Sequence, residues 1–182
     1  MQSSKKSVFY LAQAGLIAAL YVVLTLLANA LGIGSMTIQC RFSELLTILP
    51  VFMPAAIPGL TVGCFLGNLL SSPVGPVDWV FGTAATFLGA VLTYALRNVR
   101  LKGLPVASSL MPVVCNALIV AFELTCLGST NQFSIANFVP QAFFLAVGTV
   151  GLGELIMCTG GGLILFHALD RSKAAQHLFA AH

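Results

Sequence analysis

Charge is nearly absent from this 182-residue chain. Charged residues make up 7% of it and hydrophobic residues 58%, with a mean hydropathy of +1.00. No charged side chain stands between Lys6 and Arg41, nor within 45–77, 79–96, 103–122 or 124–153. Roughly 20 apolar residues in a helix cross a bilayer, so runs of this length fit lipid rather than water as their solvent. A paired metal spacing is also missing. The five cysteines, Cys40, Cys64, Cys115, Cys126 and Cys158, form no CxxC and read as small apolar residues of embedded helices. Catalytic motifs are missing too: there is no HExxH and no GxSxG, and His167, His177 and His182 all fall at the C-terminal end, far from most acids. No catalytic residue, metal or cofactor is expected. The few cations are scattered over segment ends, which is not the footprint of a nucleic-acid binder. The length leaves no room for a soluble domain, so any ATP hydrolysis is expected from a partner.

What is present reads as one integral membrane domain, residues 1–182. It is expected to be an all-α membrane protein with six transmembrane helices, at about 8–31, 42–54, 56–72, 78–97, 105–127 and 138–169. The second and third come from a single charge-free run broken by Pro50, Pro54, Pro58 and Gly59. Proline removes a helix donor and bends the chain, which predicts a short hairpin there. Short, Pro/Gly-interrupted pairs often lie beside a transporter's binding cavity. With the N-terminus inside, Lys5, Lys6, Arg97, Arg100, Lys102, Arg171 and Lys173 are all cytoplasmic and Arg41 alone is outside. The positive-inside rule favours that arrangement, with both termini cytoplasmic.

Only five acids exist. Asp170 ends the last span in water. Glu44, Asp78, Glu123 and Glu154 fall within or near the membrane, where an ionisable group costs several kcal/mol unless it faces a protein interior or a wet cavity. Their gathering toward the outer half predicts a polar chamber open to the outside. Arg41, one turn before Glu44, is expected to pair with it at i, i+3. Asn116 and Glu123 share a helix face, Asn68 approaches the same level, and Gln141 opens the last span. On a regular helix Gln141 and Glu154 do not share a face, and only distortion around Gly148, Gly151 and Gly153 brings both inward. Trp79 fits an interfacial anchor or a stacking platform equally, and Asp78 fits a helix N-cap or a ligand contact. A chamber of carboxylates and amides, poor in cations and lined by Phe and Trp, disfavours phosphates and carboxylic acids. It suits flat solutes with N–H donors or an amine, since a carboxylate accepts two parallel N–H bonds from a guanine-like edge and rings stack on its face.

Small residues mark packing surfaces. Ala14 and Ala18, flanked by Ala12, Gly15 and Ala19, form a small-xxx-small stripe that serves either the fold or a separate protein. Gly59, Gly63 and Gly67 form a double GxxxG, and Gly160, Gly161 and Gly162 follow in the last span. In lipid such residues let backbones approach closely.

The stretch Gln39-Cys40-Arg41-Phe42-Ser43-Glu44-Leu45-Leu46-Thr47-Ile48-Leu49-Pro50, then Pro54-Ala55-Ala56-Ile57-Pro58-Gly59-Leu60 and Gly63-Cys64, resembles the QueT family of queuosine-precursor transporters. Asn68-Leu69-Leu70, Asp78 and Phe81-Gly82-Thr83-Ala84-Ala85-Thr86 extend the resemblance, which is close over about residues 10–100 and rests mainly on size and span count beyond. The resemblance implies a substrate-binding S-component of an energy-coupling factor (ECF) transporter in the bacterial cell membrane. It also implies that Ala14-xxx-Ala18 contacts the transmembrane coupling subunit and that two ATPase subunits complete the complex. The implied cargo is a 7-deazaguanine such as queuine or its aminomethyl or cyano precursors. By position the motif supports only Arg41, Glu44, Asn68 and Asp78 as site residues; Trp79, Asn116, Glu123, Gln141 and Glu154 rest on depth and chemistry. The expected function is high-affinity capture of a deazaguanine for an ECF-type importer. The alternatives are an S-component for another flat, amine-bearing solute, or a self-sufficient proton-coupled carrier using Glu123 and Glu154.

Overall fold

Every regular element in the computed structural model, which describes residues 2–33, 40–127 and 132–172, is helical. Gln39, Lys173, His177 and His182 lie outside the described residues. In chain order come α1 (Gln2–Ala30), a 3₁₀ helix (Phe42–Val51), α2 (Ala56–Ser71), α3 (Pro76–Ala95), α4 (Val106–Leu127), a 3₁₀ turn (Ile135–Asn137) and α5 (Pro140–Glu154). A π-helical segment (Leu155–Gly161) then joins α5 to α6 (Gly162–Arg171) without a break. Among the described residues four stretches are long and apolar enough to cross a membrane: Lys6–Ala30, Pro76–Ala95, Val106–Leu127 and Pro140–Arg171. The expected hairpin is observed as the 3₁₀ helix and α2, whose lengths correspond to rises of only about 20 Å and 24 Å against ~30 Å of hydrocarbon.

Solvation identifies the environment. Leu11, Phe144 and Ile164 are 73%, 73% and 74% exposed, while Glu44, Glu123 and Asn116 are 2%, 1% and 4% exposed. This is the inverse of a water-soluble domain, and a membrane protein with lipid around its waist accounts for it.

The second expected span is a 3₁₀ helix over 42–51 rather than an α-helix over 42–54. Pro50 lies inside it and lacks a donor, and the Thr47 hydroxyl donates to the Glu44 carbonyl at 2.6 Å. At three residues per turn Glu44, Thr47 and Pro50 stack on one face, all of them buried. The segment packs against α1, α3, the π segment and α6. One core cluster joins Ile17 and Tyr21 of α1, Leu46 and Leu49 of the 3₁₀ helix, Leu60 and Cys64 of α2, and Ala90 of α3.

Glycine sets the closest contacts. A Cβ at Gly59 would meet the Ala14 carbonyl oxygen at 2.8 Å, and one at Gly63 would meet the Tyr21 Cβ at 2.7 Å and the Ala18 carbonyl oxygen at 3.0 Å. Ala14 and Ala18 are therefore consumed by the α1–α2 interface. The glycines of α2 lie opposite them, so this face of α1 serves packing within the fold. The outward small face of α1 carries Ala12, Gly15 and Ala19 instead. In α4, Pro112 cannot donate to the Ser108 carbonyl, and the Thr93 hydroxyl of α3 does so at 3.0 Å. Gly89 admits that approach, since a Cβ there would lie 3.0 Å from the Pro112 Cα.

Gly63→Val is expected to lower stability in detergent by about 1–3 kcal/mol through overpacking, read as a fall in thermal midpoint. Gly15→Ala, around which nothing lies within 4 Å, should leave the midpoint unchanged; equal midpoints for both variants would disprove the tight α1–α2 contact.

Candidate functional site

Two irregular segments bring the buried acids together. The 3₁₀ helix carries Glu44 to the centre of the bundle, where the Tyr21 hydroxyl donates to its carboxylate. The π segment turns Cys158 toward the same point. Its thiol donates to Glu154 at 3.0 Å and lies 3.9 Å from the other Glu44 oxygen. Asn116 lines the same inner cavity as both carboxylates. Gly161 is what lets the 3₁₀ helix this close: a Cβ there would collide with Leu45. Glu44, Glu154 and Cys158 place donor atoms within 4.8 Å of one another, a spacing that could bridge a divalent ion. The phenol and thiol protons already serve those carboxylates, so a proton-satisfied cluster accounts for the geometry.

A second polar set lies toward the N-terminal end of the 3₁₀ helix. Arg41 has extended backbone (φ −90°, ψ 116°). Its guanidinium donates to Asn68 Oδ1 at 3.1 Å and lies 3.7 Å from Asp78 Oδ2. The expected Arg41–Glu44 pair gives way to Arg41–Asp78, because the chain enters the 3₁₀ helix from an extended residue and its side chain leaves in another direction. Asn68 Nδ2 donates to the Asp78 carbonyl at 3.2 Å. The N-cap of α3 is Gly75, not Asp78; Asp78 sits in the first turn, where the helix dipole favours an acid. A Cβ at Gly82 would lie 2.7 Å from both Asn68 Nδ2 and Asp78 Oδ1, so glycine there leaves room for the pair.

Two cavities follow. The outer one, about 100 Å³, is lined by Asn29, Arg41, Asn68, Ser71, Ser72, Asp78, Val120 and Glu123 among others. The inner one, about 20 Å³, is lined by Arg41, Glu44, Cys64, Gly82, Thr86, Asn116, Val120, Val150 and Glu154. Both oxygens of Glu123 are buried without a hydrogen-bond partner among the described residues. Seven of the nine expected site residues thus converge: Arg41, Glu44, Asn68, Asp78, Asn116, Glu123 and Glu154. Trp79 is half-buried and lines neither cavity, and among the described residues no Phe or Trp forms the expected aromatic wall in either one. Gln141 is exposed on the first turn of α5. The helix distortion falls after Glu154, over Leu155–Gly161, rather than around Gly148–Gly153, and so turns Cys158 inward and leaves Gln141 out.

Tyr21 and Asn29 were not singled out from the sequence, and Cys64, Cys158, Gly82 and Thr86 were named there but not as site residues. Two signals for them existed. Tyr21, Thr25 and Asn29 recur at i, i+4, i+8 in an otherwise apolar helix, and Cys158 follows Glu154 by four. The reading of all cysteines as plain apolar residues fails for Cys158 and for Cys64, whose sulfur accepts from Thr86 Oγ1 at 3.2 Å.

Comparison with known proteins supplies the family. A profile described as "QueT transporter" matches residues 11–171. The chain is 31% identical over 166 residues to the "Queuosine precursor transporter QueT" of Lactococcus lactis subsp. cremoris (strain MG1363), an alignment covering 88% of this chain and 93% of that protein. No solved structure matches it. The matched family is one of transporters, not enzymes, in keeping with a polar interior that has no catalytic motif. With nearly the whole length of the chain matched, and its acids gathered inside an apolar shell, the protein belongs to the QueT transporter family.

Proposed function

We propose that this chain is the membrane-embedded capture subunit of an ECF-type importer, taking up queuosine precursors from outside. It crosses the bacterial cell membrane six times with both termini cytoplasmic, in keeping with the cation asymmetry. The observation that carries the reading is the unpartnered Glu123 carboxylate, 1% exposed, beside Asp78 in the outer cavity. A buried acid with no partner of its own is poised for a ligand's donors. Beyond it, Glu44, Glu154 and Asn116 offer acceptors for the N1–H and exocyclic amine of a 7-deazaguanine. The site residues are therefore Arg41, Glu44, Asn68, Asp78, Asn116, Glu123 and Glu154, with Tyr21 and Cys158 holding Glu44 and Glu154 in place. Partner subunits supply ATP hydrolysis, and the outward face of α1 at Ala12, Gly15 and Ala19 is the small-residue surface open to a coupling subunit.

Titration calorimetry of the purified protein with queuine, its aminomethyl and cyano precursors, and guanine tests the cargo. Binding of at least one deazaguanine is expected. Glu123→Gln or Glu154→Gln should weaken it by about 1.5–3 kcal/mol, the worth of a charge-assisted hydrogen bond. A folded sample that binds none of the four overturns the cargo assignment. Uptake of labelled cargo by cells should also disappear when the ATPase subunits are deleted, and uptake that persists points to a self-sufficient carrier instead.

A further inference from the structure

Among the described residues Arg41 is the one cation lining either cavity, and it lines both. With Val120 it forms the partition between an outer space of about 100 Å³ and an inner one of about 20 Å³. Small-molecule sites usually enclose ~300–1,000 Å³, so neither space houses a bicyclic solute while the partition stands. Joining them requires the Arg41 side chain to leave. It is only 21% exposed, and it is held by Asn68 and Asp78 at 3.1 and 3.7 Å.

The charge inventory decides what can replace it. Asp78, Glu123, Glu44 and Glu154 line the two cavities against this single guanidinium. Glu44 and Glu154 accept hydrogen bonds from Tyr21 and Cys158, whereas Glu123 accepts none among the described residues. When Arg41 swings away, Asp78 loses its cation while facing the same cavity as the unpartnered Glu123. With a neutral solute the buried Asp78 is left without its cation beside a second acid, Glu123, a costly arrangement. A solute carrying an ammonium restores the charge that the guanidinium had supplied.

We propose that Arg41 is a specificity-determining residue: its guanidinium occupies the seat of the cargo's ammonium beside Asp78 and Glu123, so that only a cationic, amine-bearing solute displaces it efficiently. This rests on the capture role proposed above. The flat ring of the cargo then extends past Val120 toward Glu44, Asn116 and Glu154, in the space that the departing side chain opens. Arg41 is thus a built-in competitor and not a contact that holds the cargo.

Binding of aminomethyl-7-deazaguanine and cyano-7-deazaguanine to wild type, Arg41→Gln and Arg41→Ala tests this, each variant first shown folded by gel filtration and thermal unfolding. Wild type is expected to favour the aminomethyl compound at least tenfold, and both variants to bind it several-fold more tightly than wild type. Weaker or unchanged binding in both folded variants overturns the proposal, since Arg41 would then hold the cargo or stand by. Methylguanidinium gives a readout independent of the deazaguanines. It should raise the thermal midpoint of Arg41→Ala but not of wild type, and aminomethyl-7-deazaguanine should compete with it. No midpoint shift in Arg41→Ala overturns the seat. A shift in Arg41→Ala with no deazaguanine binding to wild type supports the seat and removes only the queuosine-precursor cargo.

Discussion

A carboxylate cannot rest in a lipid-solvated bundle without partners, and the hydrogen bond from Tyr21 to Glu44 is where this constraint is met most tightly. It ties α1 to the 3₁₀ helix across 23 residues of sequence, and the Cys158 thiol extends the same cluster to the π segment 114 residues further on. The packing around it follows. For Tyr21 to reach Glu44, α1 must lie almost in contact with α2, and Gly59 and Gly63 are the residues that permit it. For Cys158 to reach the same carboxylate, the last helix must approach the 3₁₀ helix, and Gly161 opposite Leu45 allows that.

Departures from regular α-helix are concentrated around the polar interior. The 3₁₀ helix and the π segment both supply members of the acid cluster, and Pro112 interrupts the hydrogen bonding of α4 one turn before Asn116. Irregular backbone at membrane depth is tolerated only where protein groups take up the freed carbonyls. Here they do: Thr93 serves the Ser108 carbonyl at 3.0 Å and Thr159 serves that of Ser109 at 3.3 Å. Each irregularity also changes the direction in which a polar side chain leaves its helix, which straight helices of the same sequence would not do. The chamber and the distortions are therefore one construction, with hydroxyls from neighbouring helices making the distortions tolerable.

The division of charge between the two cavities gives the site its character. The inner cluster accepts hydrogen bonds from a phenol and a thiol within the protein, whereas the outer set combines one guanidinium with a carboxylate that has no partner among the described residues. An interior completed by its own protons is stable when empty. An interior with an unpartnered acid has affinity left over for donors arriving from elsewhere. A transporter of the QueT family needs both properties, one to keep the bundle intact between binding events and the other to draw a solute in.

Hydropathy and helix breakers made much of this architecture legible. Helices expected at 56–72 and 105–127 correspond to Ala56–Ser71 and Val106–Leu127, because Pro, Gly and charge at the ends leave little choice of boundary. The burial of Glu44, Asp78, Asn116, Glu123 and Glu154 was legible for the same reason, since groups this costly in lipid have only the protein interior to go to. Partnerships were not legible. Arg41 meets Asp78 and not its neighbour Glu44, Ala14 and Ala18 lie against the glycines of α2, and Gln141 remains outside while Cys158 turns in. Hydrophobicity and cost of burial are properties of residues and survive in a linear string. The direction of a side chain depends on helix phase, on whether a turn holds three residues or more than four, and on what a distant helix presents at that height, and these exist only once the chain has packed.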